Sequence, residues 1–369
     1  MSGPLEGLIV ADFSRVLAGP YATMLLGDLG ATVIKVERPV TGDDTRGWAP
    51  PTDTNGDATY FLSVNRNKYS VAWDLDEPAD HARAIDLATR ADIVIENFPS
   101  GALERRRLGY ADVASVNPGV IYCSISGFGS KADLPGYDLL VQAMGGLMDI
   151  TGEAEPTKVG VAIVDVVTGL HASTAILAAL HHRDETGEGQ HLEVTLLGSL
   201  LSALVNQSGA AAITGETPHR LGNAHPSIAP YEPYPTADRP IIIAVGNDEQ
   251  FTRLCTVLQH PQWAGDPRFA TNSARVQHRD ELHELIRAQL SSRGADEWQE
   301  LLREARIPCG PINSVSQALD LAGALGLESV VDVAGVPQVA NPVRYSRTPA
   351  TYRLRPPRLG EHVIDDILS

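Results

Sequence analysis

Cysteine is scarce in this 369-residue chain: Cys123, Cys255 and Cys309 stand far apart and form neither a CxxC pair nor a Cys/His metal spacing. No zinc site or disulfide framework is legible, and reduced thiols in a cytoplasmic protein are expected. Positive charge is also short, since 29 Lys and Arg against 46 Asp and Glu leave a formal net charge of −17. A field of that sign repels nucleic acid and anionic membrane surfaces, so an anionic ligand has to meet a local basic cluster. No apolar run approaches a membrane span, and the opening MSGPLEGLIVADF lacks a basic segment ahead of a long apolar one, so no membrane association is expected. Internal repeats are not evident. The nucleotide and hydrolase signatures are missing too. The first turn reads SRVLAGPYA rather than GxGxxG, GxxxxGK[ST] does not occur, and SISGFG lacks the leading glycine of GxSxG. Nicotinamide, flavin, P-loop and α/β-hydrolase readings all fall on that basis.

What is present is an ordinary globular composition, 43% hydrophobic and 20% charged, in a chain long enough for a large domain and a smaller one. The first part alternates strands and helices. Gly7 to Phe13 reads as a strand, Pro20 to Leu29 as a helix stopped by Gly30, and Thr32 to Glu37 as a second strand. Further strands are expected at Ser70 to Leu75, Ile93 to Phe98 and Val120 to Ser126, with an amphipathic helix from Ala79 to Ala91. The alternation predicts an α/β fold, Rossmann-like, with a parallel sheet. Asp165 stands out. It follows the apolar run Val161 to Val164 and opens an apolar helix reaching Leu180, where it is either a helix N-cap or a buried functional carboxylate. From His219 to Pro240 the chain is dense in Pro, Gly, Asn and His, which marks a long loop or boundary. A strand from Pro240 to Val245, a helix capped by Asn247 or Asp248, and further helices to about Leu319 then read as a smaller α/β domain.

An ordered set of motifs carries a resemblance over nearly the whole chain: PLEGLIVADFSRVLAGPYATMLLGDLGATVIKVERPVTGDDTRGW, NRNKYSVAWDL, ADIVIENFPSGALERRRLGY, SISGFG, RLGNAHPSIAPY, IPCGPIN and PPRLGEH. The chain resembles the family III CoA-transferases, the CaiB/BaiF group that also includes α-methylacyl-CoA racemases. The resemblance implies a large domain begun by residues 1–218, a small domain over 219–320 with its entry loop, and a segment 321–369 returning to the large domain. It also implies an interlocked homodimer, with acyl-CoA and a carboxylic acid as substrates and no tightly bound cofactor or metal.

By matched position, Asp165 is the nucleophile, which would form an aspartyl mixed anhydride and then an aspartyl-CoA thioester. Arg15, Val16 and Ala18 in the first turn, Arg38, Lys68, Asn97, Phe98 and Arg105 are the coenzyme A candidates. Arg106 and Arg107 read as a solvated face. Tyr137 replaces the histidine of the racemases. A phenol is a poor base for an α-proton at neutral pH, which favours transfer over racemisation. The formyl-CoA transferase loop GGGGQ is absent, and RLGNAHPSIAPY suits dicarboxylate substrates, with Arg46 or His225 holding a distal carboxylate. A racemase and a non-catalytic acyl-CoA-binding protein are the alternatives.

Overall fold

The computed structural model describes residues 3–132 and 134–368. They cluster in two compact units. One contains the residues up to Leu147, Val159–Thr217 and those from Gly326 onward, and the other contains Met148–Lys158 and Pro218–Leu325.

The first unit runs β1 (Ile9–Asp12), α1 (Ala18–Asp28), β2 (Thr32–Glu37), α2 (Thr59–Ser63), β3 (Lys68–Ala72), α3 (Pro78–Arg90), β4 (Ile93–Glu96), α4 (Tyr110–Ala114) and β5 (Ile121–Ser126). It continues through α5 (Asp138–Met144), leaves at the single turn α6 (Leu147–Ile150), whose residues after Leu147 belong to the second unit, and resumes with α7 (Ile163–Thr186), β6 (Gln190–Thr195), α8 (Leu196–Ala203) and α9 (Asn206–Thr214). All six strands are parallel, in the order β3-β2-β1-β4-β5-β6. That is the Rossmann order, and its reversal lies between β1 and β4, where open α/β sheets bind ligands beyond their strand ends.

Near-continuous apolar strands such as IVAD, TVIKVE and IVIE suit a sheet covered on both faces. Ile93 and Ile95 join Ala22, Leu26, Ala172 and Ile176 in the core under α1 and α7, whereas Val94 joins Leu87 and Val113 under α3 and α4. The helix expected from Pro20 starts at Ala18 instead, because a proline in the first turn has no amide to lose. α7 runs past Leu180 to Thr186 and ends on Gly187 at φ 78°, a left-handed cap that glycine adopts freely. By length and composition α7 is apolar enough to cross a membrane, contrary to the sequence expectation. Its buried Ala172, Ile176, Ala179 and Leu180 pack in the core of the unit.

After Gly326 comes an antiparallel hairpin of Val330–Val333 and Val336–Val339, then an extended tail. Asn67, at φ 60°, anchors that tail: its Oδ1 accepts from Arg353 N at 2.7 Å and Leu354 N at 3.1 Å, and its Nδ2 donates to Thr351 O at 2.7 Å. Arg66 beside it forms a buried bidentate pair with Asp28 at 2.8 and 2.7 Å.

The second unit combines a small sheet with helices. Its sheet is antiparallel, in the order β7 (Tyr231–Tyr234), β8 (Ile241–Ala244) and β9 (Cys309–Pro311), and helices enclose a core with Phe251, Leu254, Trp263 and Trp298. The helix Asp248–Val257 is capped by Asn247, whose side chain accepts from Gln250 N at 2.9 Å. The segment Met148–Lys158, left within 1–218 by the sequence reading, falls in this unit, where Arg220 Nη1 donates to Asp149 O at 2.5 Å.

Candidate active site

Asp165 is the third residue of α7, and it does not cap the helix. The N-cap residue is Ala162, without a side-chain acceptor, and the first amides are met by Asp138 from α5. Asp138 Oδ1 accepts from Val164 N at 2.8 Å and Asp165 N at 3.4 Å, while its Oδ2 accepts from Gln142 Nε2 at 2.6 Å. Two glycines bring the start of α5 into place. A Cβ on Gly136 would lie 2.8 Å from the Gly127 backbone, so only glycine lets the chain leaving β5 and the chain entering α5 touch.

The Asp165 carboxylate is therefore left without a hydrogen-bond donor among the described residues, in a residue only 9% exposed. Burial, and then the charge of Asp138, push its pKa up from 3.8 to about 7. One turn further along the same face, Gly169 brings α7 against α1: a Cβ there would stand 2.7 Å from Ala18 O. The carboxylate accordingly sits beside the first βα turn.

Tyr60 on α2 lies in the same field, a neighbour that no local sequence signal announced. Burial raises its phenol to about 12, and the charges of Asp165, Asp138 and Asp43 add to the rise. Its ring meets Trp48 edge-on at 5.3 Å, and the two residues, with Pro50, Pro51 and Ser63, line an open recess of about 770 Å³. Tyr137 immediately precedes Asp138 as the N-cap residue of α5, and it is 63% exposed.

Five of the predicted coenzyme A residues, Arg15, Val16, Arg38, Asn97 and Phe98, are linked beyond the ends of β1, β2 and β4. The Asn97 side chain grips the Arg15 backbone, accepting from its N at 2.9 Å and donating to its O at 2.7 Å, and the Arg15 guanidinium lies over the Phe98 ring at 5.2 Å. Val16 has φ 70°, a costly conformation for a β-branched residue. Its amide is held by the Asp43 carboxylate at 3.2 and 3.3 Å. Asp43 is buried, which alone would raise its pKa, but the Lys35 ammonium at 2.8 Å prevails and holds it at about 2. Arg38 Nη2 pairs with Asp44 Oδ1 at 2.6 Å, and Arg15 Nη1 approaches Asp44 Oδ2 at 3.5 Å, so one exposed carboxylate bridges the exposed Arg38 and the half-buried Arg15. Arg105 is exposed, and its side chain has no partner among the described residues.

Two expectations, those on Lys68 and Arg46, are corrected by this geometry. Lys68 is not on a loop but opens β3, fully buried, with Nζ donating to Asp12, Pro20 O and Asn65 at 3.2, 2.8 and 2.9 Å, so no donor remains for a phosphate. Ala18 packs in the core at 2% exposure, which leaves its backbone at the start of α1 as the part that could meet a ligand. Arg46 is neutralised by Glu37 at 2.7 Å through both Nε and Nη2, and it stacks over Phe61, so it is not a free receptor for a distal carboxylate. His225 belongs to the second unit, where its Nδ1 accepts from Ser227 N at 3.1 Å and its ring lies 5.3 Å from that of Tyr231. Among the described residues, no group of three His, Cys, Asp or Glu side chains is placed to hold a metal ion.

Comparison with known proteins identifies the family. Residues 5–363 match the family model described as CoA-transferase family III. A succinate–glutarate CoA-transferase of Agrobacterium fabrum is 44% identical over 97% of this chain and 94% of its own length. The succinyl-CoA:glutarate CoA-transferase of Mus musculus is 42% identical over 97% of this chain and 84% of its own. The crystal structure of a CaiB/BaiF family protein from Brucella suis superposes with a TM-score of 0.89 at 41% identity, covering 100% of this chain and 99% of that one. This chain is a member of the family III CoA-transferases.

Proposed function

We propose that the protein moves coenzyme A from an acyl-CoA to a dicarboxylic acid of the succinate and glutarate type, with Asp165 as the nucleophile. The observation that carries this reading is the state of the Asp165 carboxylate: buried, free of hydrogen-bond donors and of raised basicity, while Asp138 satisfies the helix amides that would otherwise hold it. A carboxylate of raised pKa is a better nucleophile, and near neutral pH a large fraction is still ionised.

In the first step an Asp165 oxygen attacks the thioester carbonyl, and the C–S bond breaks to give a mixed anhydride and CoA thiolate. The thiolate then attacks the Asp165 acyl carbon, releasing the donor carboxylate and leaving an aspartyl-CoA thioester. The acceptor carboxylate attacks that thioester, expelling thiolate and forming a second mixed anhydride. Thiolate attack on the acceptor's carbonyl yields the new acyl-CoA and regenerates Asp165. Every step exchanges acyl derivatives of similar energy, so no external energy source enters. Tyr60 and Tyr137 supply phenol donors for the oxyanions. Arg15, Arg38 and Arg105 meet the coenzyme A phosphates, with Val16, Asn97 and Phe98 shaping the turn. The dicarboxylate preference is supported by the names of the relatives. Residues up to 147, 159–217 and those from 326 onward form the coenzyme A domain, 148–158 and 218–325 form the small domain, and the active species is an interlocked homodimer in the cytoplasm.

The test is to incubate the enzyme with succinyl-CoA and hydroxylamine and to map the adduct by mass spectrometry. A hydroxamate on Asp165 is expected, with Asp165→Ala folded and inactive. Full turnover with Asp165 unmodified would defeat the reading.

A further inference from the structure

A second polar cluster lies across the sheet from α7. Along β4 the side chains alternate, so Glu96 projects with Val94 to the side of α3 and α4, away from Asp165. It is 9% exposed and borders a cavity of about 170 Å³ lined by Glu96, Ser124, Ser126, Ser130, His191 and Glu193 among others. Glu96 Oε2 accepts from Phe98 N at 2.7 Å, and Ser124, its register partner on β5, sets its hydroxyl beside the carboxyl. Ser124 Oγ lies 2.9 Å from His191 Nε2 on β6, whose ring is stacked on Tyr110 at 5.0 Å and meets Tyr122 edge-on. The titratable groups around the carboxyl are thus Glu104 from the turn after β4, Tyr122 from β5, Tyr110 from α4, and His191 and Glu193 from β6. Burial, chiefly, and Glu104 raise the Glu96 pKa to about 7, against the lowering effect of Ser124 and the Phe98 amide.

The direction of this chain depends on one proton. An ionised Glu96 only accepts, so Phe98 N–H and Ser124 O–H both donate to it and His191 donates to Ser124. A protonated Glu96 donates to Ser124, Ser124 donates to a His191 carrying its proton on Nδ1, and Phe98 N–H keeps only a neutral acceptor, which binds it less strongly. That amide matters because Asn97 and Phe98 are the residues that grip and underlie Arg15.

We propose that Glu96 is a positioning residue for coenzyme A, holding the exit of β4 so that Asn97 and Phe98 fix the Arg15 turn, and that the Glu96–Ser124–His191 chain makes this hold loosen on protonation. The inference rests on the assignment of the Arg15 turn to coenzyme A.

The test measures binding of dephospho-coenzyme A, which lacks the phosphate that titrates near neutrality, by calorimetry from about pH 5.5 to 8.5. The protein is the Asp165→Ala enzyme, which removes the titration of the nucleophile. Affinity is expected to fall roughly three- to tenfold as pH drops through 7, the difference between a charge-assisted and a neutral hydrogen bond. With Glu96→Gln added, the profile should be flat across that range. Ser124→Ala provides a second arm should Glu96→Gln fail to fold: loss of a bond that favours the ionised form moves the midpoint to higher pH. A pH-independent affinity in the Asp165→Ala protein, the same slope with Glu96→Gln, or an unmoved midpoint with Ser124→Ala overturns the proposal while leaving the coenzyme A site intact. Absence of binding at every pH overturns the assignment of the turn, and this proposal with it.

Discussion

Replacing Asp165 by asparagine should stabilise the fold above neutral pH and give no such gain in acid. The carboxyl has an ordinary pKa of 3.8 and stands at about 7 in the folded protein, so the native state binds its proton more tightly than the unfolded chain does. Stability is therefore withdrawn as pH rises from about 4 to 7, and the loss is complete above the folded pKa. Roughly three pKa units at about 1.4 kcal/mol each set a ceiling of about 4 kcal/mol. The asparagine amide, buried with no partner of its own, returns part of that gain, which leaves about 2 kcal/mol. Thermal and urea unfolding of wild type and Asp165→Asn at about pH 4.5 and pH 8 give the comparison, and the substitution should raise Tm only at the higher pH. An effect of equal size at both pH values would refute the claim that an unpaired, desolvated charge is held at the start of α7.

Asp44→Asn removes the anion that bridges Arg15 and Arg38, so the KM for the coenzyme A ester should fall about two- to fivefold at low salt with kcat unchanged. A KM that does not move, or one that moves equally at high salt, would show that these arginines do not face the phosphates. Tyr60→Phe should slow transfer more than Tyr137→Phe, because Tyr60 lies in the field of Asp165 whereas Tyr137 is largely exposed; losing one oxyanion donor typically costs a hundredfold or more. In deuterated water the wild type should wash label into a 2-methylacyl-CoA far more slowly than it transfers coenzyme A. Exchange as fast as transfer, abolished by Tyr137→Phe, would favour an isomerase.

The parallel sheet was legible because apolar strands and amphipathic helices alternate with glycine and proline at their ends, and α3 (Pro78–Arg90) lies within a residue of its expected bounds. Asp165 was legible as an anomaly, a charge in an apolar helix, but its two local readings were not separable. What separates them is Asp138, 27 residues earlier, which takes the amides a capping aspartate would have taken. Lys68 and Arg46 failed for a related reason. A cation near a strand end reads as a ligand contact until its anion is known: Asp12 comes from β1, which does not adjoin the β3 of Lys68, and Glu37 ends β2, nine residues before Arg46. Tyr60 left no local trace, because its partners are distant in the chain.

The buried ions around β1, β2 and β3 raise the question of what such costly groups accomplish. Lys35 with Asp43 and Lys68 with Asp12 are pairs in which every side chain is 0% exposed, and burial already lowers the Lys68 pKa to about 8. Apolar residues of the same volume would often serve stability equally well. Each pair, however, also reaches the loop beyond β1. Lys35 Nζ donates to Ser14 O at 2.9 Å, Asp43 receives the Val16 amide, and Asp12 receives the Ser14 amide at 3.0 Å. Together with Asn97 they restrain consecutive peptide groups of Ser14, Arg15 and Val16, enough to keep Val16 at a positive φ that it would not choose alone. A turn fixed in this way loses little freedom when a polyanion arrives, so binding does not have to supply the ordering. On the proposed function, that preorganisation lets Arg15 and Arg38 hold an anionic substrate in a chain of net charge −17.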